Sequence, residues 1–283
     1  MNQISTSTDI RPLATRFDLR RRHIAVTGAA NGLGLSICQG LLEFGAVVTA
    51  IDHDGDALKA AADQLGADSE FSPQVCDVAD QEAIAAVIAD SAAAHGRLDA
   101  VFANAGIAGG PSLEVDAGRI YELDWATFDH AMSVNLRGAL ATIKAAAIAM
   151  RPSGRGSIVA TVSTAGLRGE SMVGYGYNCS KGALTNLVRQ AAIDLARDGI
   201  RVNGIAPGPI GGTNIGGPGP APDHIVRKWN TTTLQGRMGE PHEIQGLANF
   251  LASDASSFIT GTVIALDGGG TSGFFATLPD TPR

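Results

Sequence analysis

Short apolar runs rich in β-branched residues alternate along the chain with longer, alanine-rich stretches whose apolar positions recur every three to four residues. The first pattern fits a strand buried on both faces and the second an amphipathic helix, and their alternation predicts βαβ units feeding a parallel sheet. Seven strands are expected, at His23–Thr27, Ala46–Asp52, Glu70–Asp77, Ala100–Ala103, Ser157–Val162, Arg201–Ile205 and Thr262–Leu266. Helices are expected near Gly34–Phe44, Asp54–Gln64, Gln81–His95, Trp125–Met150, Tyr177–Asp198 and Glu240–Ser253. Right-handed crossovers covering both faces would wind these into one doubly wound α/β sheet. No repeat or linker divides residues 23–283, so one domain is expected there, and residues 1–22, Ser/Thr-rich and ending in three arginines, read as a loosely ordered extension. Gly109–Asp124 and Gly211–Gly236 resist the pattern; the second, carrying GGTNIGGPGPAP, is read as a lid or binding loop at about 211–236.

Composition narrows the function classes. A chain of 283 residues with 45% hydrophobic and 17% charged residues has the make-up of an ordinary globular protein. The formal net charge of −7 leaves no basic stripe to neutralise a phosphate backbone, so nucleic acid is not an expected partner. Apolar runs such as Ala141–Met150, broken by Lys144, fall well short of the ~18 residues that suggest a membrane span. Behind Arg20-Arg21-Arg22 only Ile24–Val26 is apolar, which lacks the hydrophobic region of a secretory signal. Cys38, Cys76 and Cys179 are odd in number and widely spaced, suggesting neither a disulfide framework nor a metal site, and a reducing cytoplasm fits them.

Chemistry first shows at TGAANGLG, Thr27 to Gly34, between the first strand and first long helix. Glycines there permit a tight turn and close approach to a pyrophosphate, whose charge the exposed N–H groups of a helix N-terminus favour. The second strand ends at Asp52, 18 residues beyond Gly34. A carboxylate there can accept hydrogen bonds from an adenosine ribose and would repel a 2′-phosphate, which favours NAD over NADP. Asn31 inside the turn is neutral; His53, able to charge at lower pH, is the one group pulling the other way.

Further along, GYGYNCSK places Lys181 four residues after Tyr177, one helical turn away on the same face. A tyrosine of pKa about 10 is a poor base at neutral pH, and an adjacent cation favours its phenolate. Ala183, Leu184, Leu187, Val188, Ala191, Ala192 and Leu195 form an apolar stripe that would seat this helix firmly. Tyr175 lies roughly 200° around from Tyr177 and cannot share its face, and Cys179 and Ser180 fall off it as well.

Taken together, these residues resemble the short-chain dehydrogenases/reductases, single-domain Rossmann-type oxidoreductases that use NAD or NADP, over about His23 to Gly269. TGAANGLG is similar to the family's TGxxxGxG turn, whose contacts here would come from Gly28, Asn31, Gly32, Leu33 and Gly34. Asp77-Val78 resembles the pair beside adenine, Asn104-Ala105-Gly106 the NAG motif, Asn135 in MSVNLRG the helix asparagine, and Pro207-Gly208 the turn flanking nicotinamide, with LDGG near the C-terminus also typical. The resemblance implies catalysis by Ser163, Tyr177, Lys181 and Asn135: Tyr177 as acid/base, Lys181 also holding the nicotinamide ribose, Ser163 steadying the substrate oxygen, and Asn135 in a water-mediated proton relay. The Ser163–Tyr177 separation is one residue longer than usual, and Thr164 would restore the common spacing; Thr164-Ala165-Gly166 aligned with the family's small-residue turn favours Ser163. Ile210 is expected to meet the carboxamide through its backbone, and the family's threonine is displaced from Gly212 to Thr213. The implied activity is hydride transfer between a secondary alcohol or ketone and NAD, in a homotetramer or homodimer built on the two long helices. Carbon–carbon double-bond reduction, dehydration and a silent NAD-binding regulator are the alternatives. Arg119, Arg168, Glu170 and Tyr175 give the expected pocket a polar character compatible with an oxygenated substrate.

Overall fold

A computed structural model describes residues 12–213 and 222–272. The strands are β1 (His23–Thr27), β2 (Val47–Asp52), β3 (Phe71–Val75), β4 (Ala100–Ala103), β5 (Gly156–Thr161), β6 (Ile200–Pro207) and β7 (Val263–Leu266). They form one seven-stranded sheet in the order β3-β2-β1-β4-β5-β6-β7, and each pairing is parallel. The order reverses between β1 and β4, and ligands of open α/β sheets bind at the carboxyl ends of strands at such a switch point. The central strand β1 is buried at every position, whereas β3, at the edge, exposes most of its length and tolerates Pro73 there.

Helices cover both faces: α1 (Leu13–Arg16), α2 (Gly32–Glu43), α3 (Gly55–Leu65), α4 (Gln81–His95), α5 (Trp125–Met132), α6 (Ala139–Met150), α7 (Tyr175–Leu195), α8 (Asp223–Asn230) and α9 (Gln245–Ala252). One core layer joins α4, α6 and α7 to the sheet through Ile84, Ile88, Ile143, Leu184 and Val188; the other joins α2, α3 and α9 through Ile37, Leu41, Leu58, Ala248 and Leu251. No helix of the described residues is long and apolar enough to cross a membrane.

Four expectations need correction. The stretch Trp125–Met150 is not one α-helix, because a π-helical turn, Ser133–Gly138, separates α5 from α6. Gly211–Gly236 contains α8, an eight-residue helix that its flanking glycines and prolines hide from a compositional reading; residues 214–221 of that loop lie outside the described residues. Residues 12–22 are not a loose extension throughout: Leu19 is fully buried and Arg22 pairs with Asp254 at 2.8 Å, so the domain begins ahead of β1, while residues 1–11 lie outside the described residues. In the stripe of α7, Ala183 faces outward, while Leu184, Val188 and Ala192 are buried.

Candidate active site

The glycine-rich turn after β1 is shaped by two close backbone approaches. Gly28 sits at φ +65°, and a Cβ on it would come within 2.8 Å of the Ala105 backbone. A Cβ on Gly34 would stand 1.8 Å from the Gly28 carbonyl oxygen, so α2 can begin this close to β1 only with glycine there. Asn31 caps α2 in extended conformation without using its side chain, leaving the first N–H groups at Gly32 and Leu33 open to an anion. Thr213 packs over this turn, its Cα 3.7 Å from where a Gly32 Cβ would lie, and its hydroxyl donates to the Ile210 carbonyl.

Asp52 is tied to the same turn. One carboxylate oxygen accepts from the Ala30 N–H at 3.1 Å; the other meets His53 Nδ1 at 2.9 Å and accepts from the Asp54 N–H. At 6% exposure it is no solvated strand end, and His53 is mostly in solvent. Next to it, the Cys76 N–H donates to the Asp52 carbonyl, bringing the end of β3 alongside. Asp77 is exposed and accepts from the Ala79 N–H, while Val78 is buried against Gly138 of the π turn.

Behind β4, Asn104 stitches the sheet edge together. Its amide donates to the carbonyls of Thr27 and Gly28, its oxygen accepts from the Thr161 hydroxyl at 2.9 Å, and the N–H groups of Asn104 and Ala105 both donate to the Thr27 hydroxyl. At Gly106 the backbone meets the polar cluster: a Cβ there would be 3.3 Å from Asn135 Oδ1 and 3.4 Å from Lys181 Nζ. On the opposite side, Pro207 ends β6, the Gly208 N–H donates to the Leu266 carbonyl, and Ile210 bridges to Gly239. A cavity of about 90 Å³ lies behind Ile210, lined in part by Thr233, Arg237 and Asp267, and Tyr177 does not reach it.

Tyr177, Ser163 and Lys181 are all nearly closed to water. Burial pushes the Tyr177 hydroxyl above its ordinary value, a hydrogen bond from Ser163 opposes this, and the Glu170 charge reinforces it. Lys181 sits 5.7 Å from the Tyr177 ring centroid and donates to the Thr161 carbonyl at 2.7 Å; its burial lowers it to about 8. In this state the Ser163 hydroxyl, rather than the lysine, is what counters the effect of burial on the tyrosine. Thr164, equally buried, instead begins a 3-10 turn that Ser163 caps through the Ala165 N–H.

Asn135 occupies the π turn and is completely buried. It exchanges hydrogen bonds with the Ile107 backbone in both directions, at 2.7 Å and 2.9 Å, and donates to Ser180 Oγ at 3.1 Å. Ser180 in turn donates to the Tyr177 carbonyl, so a residue expected to lie outside the site braces it from behind. Sequence spacing misses Ser180, Thr161, Thr27 and Ile107 for one reason: each acts on a backbone group or a second side chain rather than in a motif. The pattern Tyr177-x-x-Ser180 on a helix with Ser180 inward is the one signal that could have found any of them.

Three irregular or short segments are joined to one another. Glu114 pairs with Lys228 of α8 and accepts from the Ser171 hydroxyl, and the Leu113 N–H donates to the Ser171 carbonyl. Residues 109–124, the loop before α7 and α8 thus meet at one point.

With this geometry, similarity to known proteins identifies the family. The family profile described as enoyl-(acyl carrier protein) reductase matches residues 28–271. The chain is 36% identical to 2-(S)-hydroxypropyl-CoM dehydrogenase 3 of Xanthobacter autotrophicus, aligned over 89% of this chain and 98% of that one. It is 37% identical to galactitol 2-dehydrogenase (L-tagatose-forming) of Cereibacter sphaeroides, over 91% and 98%. Among solved structures it matches a gluconate 5-dehydrogenase from Burkholderia cenocepacia in complex with NADP and tartrate (TM-score 0.82, 30% identity, 91% and 98% covered). It also matches a xylitol dehydrogenase bound to NAD+ (TM-score 0.80, 29% identity, 89% and 99% covered). The chain belongs to the short-chain dehydrogenase/reductase family, and its relatives are oxidoreductases acting on alcohols and ketones.

Proposed function

We propose that this protein is an NAD-dependent dehydrogenase/reductase that interconverts a secondary alcohol and a ketone, with Tyr177 as the acid/base. The observation that carries the reading is the buried trio of Tyr177, Ser163 and Lys181 at the carboxyl edge of the sheet, next to a turn built for a dinucleotide phosphate. The residues fit a nicotinamide dinucleotide: Gly28, Asn31, Gly32, Leu33 and Gly34 would hold the pyrophosphate with Thr213, Asp52 the adenosine ribose, Asp77 and Val78 the adenine. Asn104, Ala105 and Gly106 would line the floor, Tyr177 and Lys181 the nicotinamide ribose, and Pro207, Gly208 and Ile210 the carboxamide. When bound, that cofactor supplies the hydride acceptor or donor. Tyr177 takes the proton from the substrate hydroxyl or returns it to the carbonyl, Ser163 holds the substrate oxygen, Lys181 keeps positive charge beside the phenol, and Asn135 anchors the relay beneath it.

Asp52 is the support for NAD. Among the described residues its carboxylate is held at the turn with no basic side chain paired to it other than the solvent-facing His53, a poor setting for a 2′-phosphate. Substituting Asp52→Asn should narrow the ratio of kcat/KM for NAD over NADP by about tenfold, a difference near 1.4 kcal/mol. The family profile's description keeps double-bond reduction as a second reading, against which stand the four-residue Tyr177–Lys181 spacing and the Ser163 hydrogen bond. A panel of secondary alcohols, ketones and an enoyl thioester, followed by reduced-nicotinamide absorbance with NAD and NADP side by side, tests both. NAD-linked alcohol oxidation is expected; turnover of the enoyl thioester alone, or a preference for NADP, would overturn the corresponding part.

The exposed Leu140 and Ile148 of α6 and Ile193 of α7 support a homotetramer or homodimer formed on these helices, with the monomeric mass in sedimentation as the contrary result. Free Cys38, Cys76 and Cys179 agree with a cytoplasmic enzyme, and residues 23–283 would act as one catalytic unit.

A further inference from the structure

Beside the turn that ends β6 lies a guanidinium–carboxylate pair that the chemistry proposed above does not use. Arg237 meets Glu243 through both arms of its fork, Nη1 to Oε2 and Nη2 to Oε1, each at 2.7 Å, and Nη1 also donates to the Met238 carbonyl. The Glu240 N–H adds a third bond to the same carboxylate at 2.8 Å. The Arg237 guanidinium and that N–H hold the Glu243 carboxyl down at about 2, so the pair is charged at neutral pH. Isolated surface ion pairs do little as a rule, but this one is bidentate, only partly exposed, and closes residues 237–243 into a loop.

That loop carries Gly239, which grips the turn after β6 at two points. Its N–H donates to the Pro209 carbonyl and its carbonyl accepts from the Gly211 N–H, each at 2.9 Å, so Ile210 is bridged to it. The fit is close: a Cβ on Gly239 would come within 2.5 Å of Ile210 Cδ1 and 3.5 Å of Glu243 Oε2. Pro209 and Ile210 also border the cavity of about 90 Å³, together with Arg237 and Glu243, so packing alone does not fix the turn. The same loop reaches α2, where the Ser36 hydroxyl donates to the Pro241 carbonyl at 2.8 Å, and the end of α8, where Asn230 accepts from the Met238 N–H. It therefore stands between the helix that follows the glycine-rich turn and the backbone of Ile210.

Resting on the reading of Ile210 as the carboxamide contact, we propose that Arg237 and Glu243 are a positioning pair for the nicotinamide end of the cofactor, holding the Ile210 backbone in register with α2 by way of Gly239. The pair acts through backbone hydrogen bonds and needs no contact with the cofactor itself. Its effect falls on one half of the dinucleotide, since Asp52 and the turn after β1 serve the other half.

The test measures by titration calorimetry the affinities of NAD and of ADP-ribose, which lacks the nicotinamide, for the wild-type protein, Arg237→Met and Arg237→Lys, with thermal unfolding to show which variants are folded. Arg237→Met should lower the ratio of NAD to ADP-ribose affinity by about tenfold, the worth of one hydrogen bond to the carboxamide, while ADP-ribose binding stays within about twofold of wild type. Arg237→Lys keeps the charge but loses the planar fork; it should lower the ratio by about threefold, and it decides the question if Arg237→Met does not fold. An unchanged ratio in a folded variant, or an equal loss for both ligands, overturns the positioning role and leaves the dinucleotide reading intact. Wild-type protein that binds neither ligand overturns the NAD reading and the pair with it.

Discussion

Lys181 keeps its ammonium in a place nearly closed to water, 5.7 Å from the centroid of the Tyr177 ring. Lowered to about 8, the lysine is still mainly protonated at neutral pH, whereas the phenol, raised above its usual 10, is mainly neutral. Alcohol oxidation needs the phenolate and ketone reduction the phenol, so kcat/KM for oxidation should climb through the alkaline range while reduction is best at neutral pH or below. Ser163→Ala removes the hydrogen bond that favours the phenolate, and should move the oxidative limb to higher pH; Thr164→Val should not. pH profiles of the two variants in both directions check this, and an equal shift in both would contradict the assignment. Tyr177, Lys181 and Ser163 stand out in the sequence because the roles proposed for them demand particular side chains at particular spacings. Ser180, Thr161 and Ile107 are not, since a hydroxyl that braces a carbonyl or a backbone amide that seats Asn135 leaves no distinctive letter.

Among the elements, the π turn at Ser133–Gly138 matters most, because it lodges Asn135 between the backbone of Ile107 and Ser180. Such single-turn π segments interrupt α-helices frequently at functional sites. Asn135→Leu would leave the Ile107 N–H and C=O without these partners, and should cost about 1–3 kcal/mol of stability, read as a lower unfolding midpoint, together with a drop in turnover. An unchanged midpoint would show that the turn does not depend on the asparagine. Hydrophobic periodicity located α5 and α6 but ran through the turn between them, as an extra residue per turn barely disturbs an alanine-rich pattern. The same limit applies to α8, whose eight residues stand between segments where glycine and proline dominate the composition. Strand positions were far more legible: buried parallel strands need continuous apolar runs, and the short turn from β1 to α2 tolerates little but glycine at Gly34.

For the molecule as a whole, the two ends of the sheet do different work. At the amino ends of the strands, His23 is buried with Nδ1 against the Arg97 carbonyl, Nε2 against the Thr49 hydroxyl and its ring 4.2 Å from that of His95. Burial lowers its pKa below the ordinary 6.5, so the unfolded chain binds the proton more readily than the folded one. Its contribution to stability is therefore complete above about pH 6.5 and lost as pH falls below that value. Thermal unfolding between pH 7.5 and 5.5 should show the decline, and His23→Gln should flatten it; an identical slope in the variant would assign it elsewhere. The proposed chemistry lies at the carboxyl ends, and it depends most on the oxygen atom of Tyr177. Tyr177→Phe removes only that hydroxyl, and the decisive measurement is its turnover of the best secondary alcohol beside its affinity for reduced NAD by fluorescence. Affinity should stay close to that of the wild type while kcat falls by about 10²–10⁴-fold; turnover within tenfold of wild type would contradict proton transfer through Tyr177.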